Sequence, residues 1–313
     1  IFATWADDAP TLEEYLGDMR WYMDVIYNHR EGGLQAIGPI KWTAPFNWKT
    51  PVDNASDYYH ASTTHISAGI ARSKVGKRSE HRNSLGETPG GPANRTQSPS
   101  HHIFVNGHCT VARIRDQDET NVMGDTRYKS RLTPANRPIW EAFHENIFKE
   151  KEMRLGSFRA RRLEASARNV FPNVFIGLRI AFPRGPRTSE IWSFTYYDKD
   201  SPGEIVQDRR GFFQQDDNLG GITEQDDMDN WRQVTDSGPS YAARPYAHDL
   251  SMGVGHTVQD KNLPGLIAAR FLSENNQRHY YLRWQEFMNA KSWADIHIDP
   301  VTAQFEGTAT MKG

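Results

Sequence analysis

The sequence predicts an α+β fold, with antiparallel strands grouped apart from helices. Three observations predict it. Ile103-Phe-Val105 and Cys109-Thr-Val111 flank Asn106-Gly107, a two-residue hairpin signal. Val174, Ile176, Leu178, Ile180 and Phe182 alternate, and Trp192, Phe194 and Tyr196 alternate after the connection Pro183-Arg-Gly-Pro-Arg187. Residues Leu12 to Ile26 and Gln277 to Ala290 carry apolar side chains at helical spacing instead.

In chain order, Thr11-Leu-Glu-Glu14 reads as a capping box opening the first helix. Leu12, Tyr15, Leu16, Met19, Tyr22, Met23 and Ile26 form its apolar stripe, and Gly32-Gly33 is expected to end it. Leu34 to Lys49 reads as extended, with a turn at Gly38-Pro39. A short helical stretch is expected from about Asn54 to Ile70. Residues 72–100 are rich in Lys, Arg, Gly, Pro, Ser and Asn and read as a mobile loop, which could also serve as a lid. Helices are expected over Ile139 to Leu155, from the capping box Ser201-Pro-Gly-Glu204, and over Glu224 to Thr235. The C-terminal amphipathic helix completes the set. The whole chain, 1–313, reads as a single catalytic domain without internal repeats.

Composition excludes several function classes. Hydrophobic residues make up 37% and aromatics 12%, enough for a folded core beside long polar loops. Net charge is -2, so there is no basic field for nucleic acid and no polybasic segment for a membrane surface. No apolar run approaches the roughly 20 residues that span a bilayer. Cys109 is the sole cysteine, so neither an internal disulfide nor a cysteine-ligated cluster can form within the chain, and a reducing cytoplasm is the expected compartment. The chain opens at Ile1 without Met, which leads us to expect a longer polypeptide.

The chemistry concentrates in two stretches. Asp57-Tyr-Tyr-His60-Ala-Ser-Thr-Thr-His65 places two imidazoles five residues apart. On an ideal helix that spacing separates them by roughly 140°. They converge on one metal only if the helix bulges or breaks. Asp57, three residues before His60, shares a helical face with it and could fix its tautomer. A third ligand is sought in Glu224-Gln-Asp226-Asp227-Met-Asp-Asn-Trp231, which holds four acids in six residues. Two His and one carboxylate on one face leave open positions for O₂ and substrate, the pattern of non-haem Fe(II) oxygenases. On spacing alone, two core histidines and a solvated acidic helix face explain the same residues.

The ordered set of motifs is more specific than its parts. Gly38-Pro-Ile-Lys-Trp42, Asn47-Trp-Lys49, the Asp57/His60/His65 motif and Glu224-Gln-Asp-Asp-Met-Asp-Asn-Trp231 follow one another. With Ile1-Phe-Ala-Thr-Trp5, Asp8-Ala-Pro10, Tyr15-Leu-Gly17, Phe171-Pro-Asn173 and Glu190-Ile-Trp192, they resemble the large (α) subunit of bacterial Rieske non-haem iron aromatic-ring-hydroxylating dioxygenases across nearly the whole chain.

The resemblance implies a helix-grip, START-like domain, a curved antiparallel sheet packed on a long C-terminal helix. It implies His60, His65 and Asp227 as ligands of a mononuclear Fe(II), with Asp227 rather than Asp226 the carboxylate. Gln215-Asp-Asp217 lacks the following Asp-Asn-Trp and reads as a decoy. Asp57 would bridge an iron-ligand His to a cluster-ligand His of the neighbouring subunit and carry electrons. Asn54, Tyr58, Ala61 and Thr223 would line the substrate pocket. The implied reaction is O₂-dependent cis-dihydroxylation of an aromatic ring. The implied partners are a Rieske [2Fe-2S] centre, ferredoxin, an NADH-dependent reductase, and an α₃ or α₃β₃ assembly with a small β subunit.

One departure matters. The Rieske motif Cys-x-His…Cys-x2-His is absent from this chain. Either the polypeptide continues before Ile1 or electrons arrive from a separate protein, and the chain by itself is expected to bind iron without turning over NADH. Two rival readings remain, a zinc-dependent hydrolase using the same three ligands and a START-like ligand-binding domain without catalysis. Among the remaining residues, His101, His102 and His108 read as satisfied or exposed, and Cys109 as a small core residue. Arg168 and Arg179 read as exposed or paired, or as partners of a substrate carboxylate.

Overall fold

The computed structural model describes residues 2–57, 59–68, 100–114, 134–215, 218–242, 245–268 and 272–305. The loop expected over 72–100 lies outside the described residues up to position 99, as do Tyr58, Asp216 and Asp217.

Among the described residues nine strands form one antiparallel sheet in the order β1-β7-β6-β5-β4-β3-β2-β9-β8. They are β1 (Leu34–Ala44), β2 (Ser100–Val105), β3 (His108–Ile114), β4 (Leu163–Val170), β5 (Val174–Phe175), β6 (Leu178–Gly185), β7 (Thr188–Asp198), β8 (Thr257–Asp260) and β9 (Leu263–Ala268). The helices are α1 (Leu12–Leu16), α2 (Met19–Tyr27), α3 (Lys49–Ala55), α4 (Arg137–Ser157), α5 (Gly203–Gln215), α6 (Ile222–Ser237) and α7 (Asn275–Asn289). This is the expected α+β arrangement, with the C-terminal helix α7 packed on β2 and β3.

Local chemistry explains the elements that matter. Thr11 and Glu14 form the capping box of α1. Asn106 and Gly107 both take positive φ, as a two-residue β2–β3 hairpin requires. Asn47 accepts the Lys49 N–H at 3.0 Å and so opens α3, the helix that leads to Asp57.

Several boundaries differ from the sequence expectation. The first helix is two helices, broken at Gly17, whose φ is +52. A Cβ there would sit 2.7 Å from Nδ2 of Asn106, so the β2–β3 hairpin dictates the break. The next helix stops at Tyr27 rather than at Gly32-Gly33, where Arg154 binds both the backbone and side-chain oxygens of Asn28. The helix expected over Asn54 to Ile70 is interrupted: α3 begins earlier, at Lys49, and ends at Ala55, a 3₁₀ turn follows at Tyr59–Ser62, and α-helix resumes at residues 66–68. Val174 to Phe182 is not one strand. It reverses at Ile176-Gly177, so Val174 pairs with Ile180. The β6–β7 connection shrinks to Pro186-Arg187. The alternation itself is present, but those apolar side chains are half-buried. The fully buried face of β6 and β7 carries Arg179, Ala181, Ser189, Ile191 and Ser193.

Two apolar clusters hold the layers together. One joins Met19, Tyr22 and Leu155 to Ile103, Val105 and Ile267. The other joins Phe46, Val52 and Ala55 to Phe175, Trp231 and Tyr280, and it lies beneath the segments that carry the site.

Candidate metal centre

The helix break after α3 is what brings the two imidazoles together. Oδ1 of Asp57 accepts the backbone N–H of His60 at 3.1 Å and the ring Nδ1–H of the same residue at 2.7 Å. The chain therefore turns at Asp57 instead of continuing as α-helix. The His60 and His65 rings end 5.4 Å apart, centroid to centroid, at 71°. Because Nδ1 of His60 is committed to Asp57, Nε2 is the nitrogen left for a ligand.

Helix α6 supplies the third group. Its first turn is anchored to the sheet by an ion pair between Glu224 and Arg179 at 2.9 Å, both buried. Asp227 follows one turn later. Trp231, 2% exposed, packs edge-on against Phe46 and Phe175 and fixes the helix above α3 and β5. Oδ1 of Asp227 lies 3.3 Å from Nε2 of His65 and 3.9 Å from Nε2 of His60. Among the described residues, His60, His65 and Asp227 are the one set of three such side chains whose ligand atoms lie within 4.8 Å of one another.

The donor set fits a divalent first-row metal. Oδ1 of Asp227 is buried and faces the two imidazole nitrogens without a well-aligned hydrogen bond, an arrangement that a bound cation would satisfy. Asp227 and Asp57 are each 4% exposed, whereas both imidazoles are half-buried. Burial opposes the charged form of His65, but Asp227 and Asp226 outweigh it and raise its pKa. Two nitrogens and one oxygen are one donor fewer than the four that close a structural zinc site, a set that suits non-haem iron.

Around these three groups the structure places Asp57 where the sequence expected it, behind His60, and adds residues that the sequence did not single out. Each imidazole has a carboxylate behind it, Asp57 for His60 and Asp226, 3.5 Å away, for His65. Two hydrogen bonds tie α6 to the His65 segment, Ser67 to Asp226 and Asn230 to Thr64, each 3.1 Å. Nε2 of Gln277 on α7 donates to Oδ2 of Asp57 at 2.8 Å. Asp53, one turn before Asp57, accepts from the Tyr281 hydroxyl at 3.3 Å. Its pKa is pushed up to about 7, by burial first and then by the charge of Asp57. The acidic run of α6 hinted at Asp226, whereas nothing local in the sequence points to Gln277.

Three of the four residues expected to line a pocket are described. Asn54 lies in the last turn of α3, Ala61 is buried next to His60, and Thr223 precedes Asp227 by one helical turn. Tyr58 lies outside the described residues. His108 is a core histidine. Its Nε2–H donates to the Tyr15 carbonyl and its Nδ1 accepts the Phe171 N–H. Cys109 is buried, and Arg179 is paired rather than free. Among the described residues no helix is long and apolar enough to cross a membrane.

Residues 12–290 match the model of the family described as ring hydroxylating alpha subunit (catalytic domain). The chain is 32% identical over 307 residues to the biphenyl 2,3-dioxygenase subunit alpha of Rhodococcus jostii, covering 95% of this chain and 62% of that protein. It is 31% identical over 315 residues to the benzene 1,2-dioxygenase subunit alpha of Pseudomonas putida, covering 94% and 63%. It thus spans less than two thirds of the length of these relatives. A structure of naphthalene 1,2-dioxygenase with indole bound in the active site shares the fold, with a TM-score of 0.73 at 24% identity over 93% of this chain and 63% of that one. The naphthalene 1,2-dioxygenase of Rhodococcus sp. bound to indole matches at a TM-score of 0.72 and 25% identity over 93% and 64%.

Proposed function

Because the chain belongs to the family of ring-hydroxylating alpha-subunit catalytic domains, we propose that residues 1–313 form the mononuclear-iron domain of an aromatic-ring dioxygenase. The observation that carries this reading is the convergence of His60, His65 and Asp227, with Nδ1 of His60 withdrawn toward Asp57. These three side chains would hold Fe(II), which when bound supplies the O₂ activation that no protein side chain provides.

The chain's own residues then have distinct tasks. Asp57 keeps His60 in the tautomer that offers Nε2, and Asp226 stands behind His65 in the same sense. Glu224, Arg179 and Trp231 hold α6 so that Asp227 faces the two imidazoles. Asn54, Ala61 and Thr223 would border the space in which an apolar ring is oriented for addition of both oxygen atoms to one face. A Rieske [2Fe-2S] centre, fed from NADH by a reductase and a ferredoxin, would supply the electrons. Asp57 would be the residue through which this chain receives them in an α₃ or α₃β₃ assembly.

Supply of NADH, reductase, ferredoxin and biphenyl to the assembled oxygenase under isotopically labelled O₂ tests the reading. A cis-dihydrodiol carrying both labelled oxygens is expected. Oxygen derived from water, or hydrolysis supported by zinc, would overturn it.

A further inference from the structure

One stripe of α7 faces the segment that carries Asp57. Glu274, just before the helix, and Gln277 and Tyr281 within it follow i, i+3, i+7 spacing and share a side. Opposite them stand Tyr59, Asp57 and Asp53. The pairs run in antiparallel order: Tyr59 hydrogen-bonds Glu274, Gln277 donates to Asp57, and Tyr281 donates to Asp53. The middle pair is the one that touches the partner of a candidate ligand.

The geometry points to Gln277 as a positioning residue for the metal centre, acting through Asp57 and then His60. This rests on the reading that His60, His65 and Asp227 hold iron. Asp57 is 4% exposed and Gln277 3%, so solvent is poorly placed to replace the amide if it is lost. Oδ1 of Asp57 takes both donors of His60, and Gln277 holds Oδ2. Together the three bonds fix the carboxylate plane and, through it, the tilt of the His60 ring. The chemistry of the donor matters as well as its position. A neutral amide satisfies Oδ2 without a positive charge that would draw the carboxylate's electron density away from His60. An aspartate left unpinned on one side aligns its other oxygen less well, and His60 becomes a weaker and less ordered ligand.

The test is Fe(II) binding by the anaerobic full chain, measured by chelator competition, in a double-mutant cycle of Gln277→Leu and Asp57→Asn. Gln277→Met, which loses the donor with little change of volume, is run alongside so that a packing defect in either variant is recognised. With Asp57 present, Gln277→Leu and Gln277→Met are expected to weaken Fe(II) binding about tenfold, and to change the nitrosyl EPR spectrum of the Fe(II) protein. With Asp57→Asn already made, the same substitutions should have almost no further effect. Wild-type binding that survives Gln277→Met unchanged would overturn the inference, and so would an equal loss in both Asp57 backgrounds, which marks general packing. A wild type that binds no Fe(II) fails in a different way, because it removes the iron reading itself.

Discussion

The ring of His60 is held from behind by Asp57, with Nδ1 2.7 Å from the carboxylate Oδ1, while its Nε2 faces Asp227 at 3.9 Å. One aspartate thus decides which nitrogen of the imidazole can serve a metal. Asp57→Asn keeps the shape and loses the charge. Fe(II) affinity should fall by about ten- to a hundredfold, the usual cost of losing the group behind a ligand His. Chelator competition on the wild type and the variant measures it. Unchanged affinity would mean that Asp57 does not set the strength of His60 as a ligand.

Trp231 is the apolar counterpart of that polar contact. It fixes α6, and with it Asp227, against Phe46 and Phe175. Trp231→Ala should lower stability by about 3–5 kcal/mol, read as a lower midpoint in urea. Because α6 is also tethered by the Glu224–Arg179 pair and by Thr235, whose hydroxyl accepts the Asn47 N–H, the helix should persist while metal binding weakens.

Two buried groups make stability depend on pH in opposite senses. His108 is held neutral in the core, with its pKa brought down from 6.5 to about 4, chiefly by burial. The unfolded chain then binds the extra proton below pH 6.5, so stability falls as pH drops from there toward 4. At about 1.4 kcal/mol per pH unit, the full effect is on the order of 3 kcal/mol. Asp53 acts the other way. Its folded pKa, about 7 against an ordinary 3.8, gives stability that is complete below 3.8 and lost as pH rises through 7. In the metal-free protein Asp53→Asn should therefore stabilise above pH 7 and steepen the acid limb that His108 creates. Urea midpoints between pH 4 and 8 check both signs.

What was legible in the sequence was local or motif-borne. Thr11 with Glu14, Asn106-Gly107, and the run of α6 each specify their structure within a few residues. The spacing of His60 and His65 required a helix break, and Asp57 produces it. Contacts made only by the tertiary fold were not legible. Gln277 reads as one more polar residue on an amphipathic helix until α7 is laid beside Asp57, 220 positions away. Gly17 lies inside an unbroken apolar stripe, and only the approach of Asn106 shows why the helix stops there. Gly177 is hidden because a reversal at Ile176-Gly177 leaves the alternation of Val174 to Phe182 uninterrupted. Asp53 looks like an ordinary surface acid, and its burial against Tyr281 is a property of packing.

The most direct measurement is metal analysis of the anaerobically purified chain after Fe(II) reconstitution, comparing wild type with His60→Ala and Asp227→Ala. About one Fe(II) per wild-type chain is expected, lost in both variants and not displaced by zinc. A wild type that holds no metal would contradict the iron site and leave a ligand-binding domain without catalysis, and zinc bound in preference to iron would favour a hydrolase.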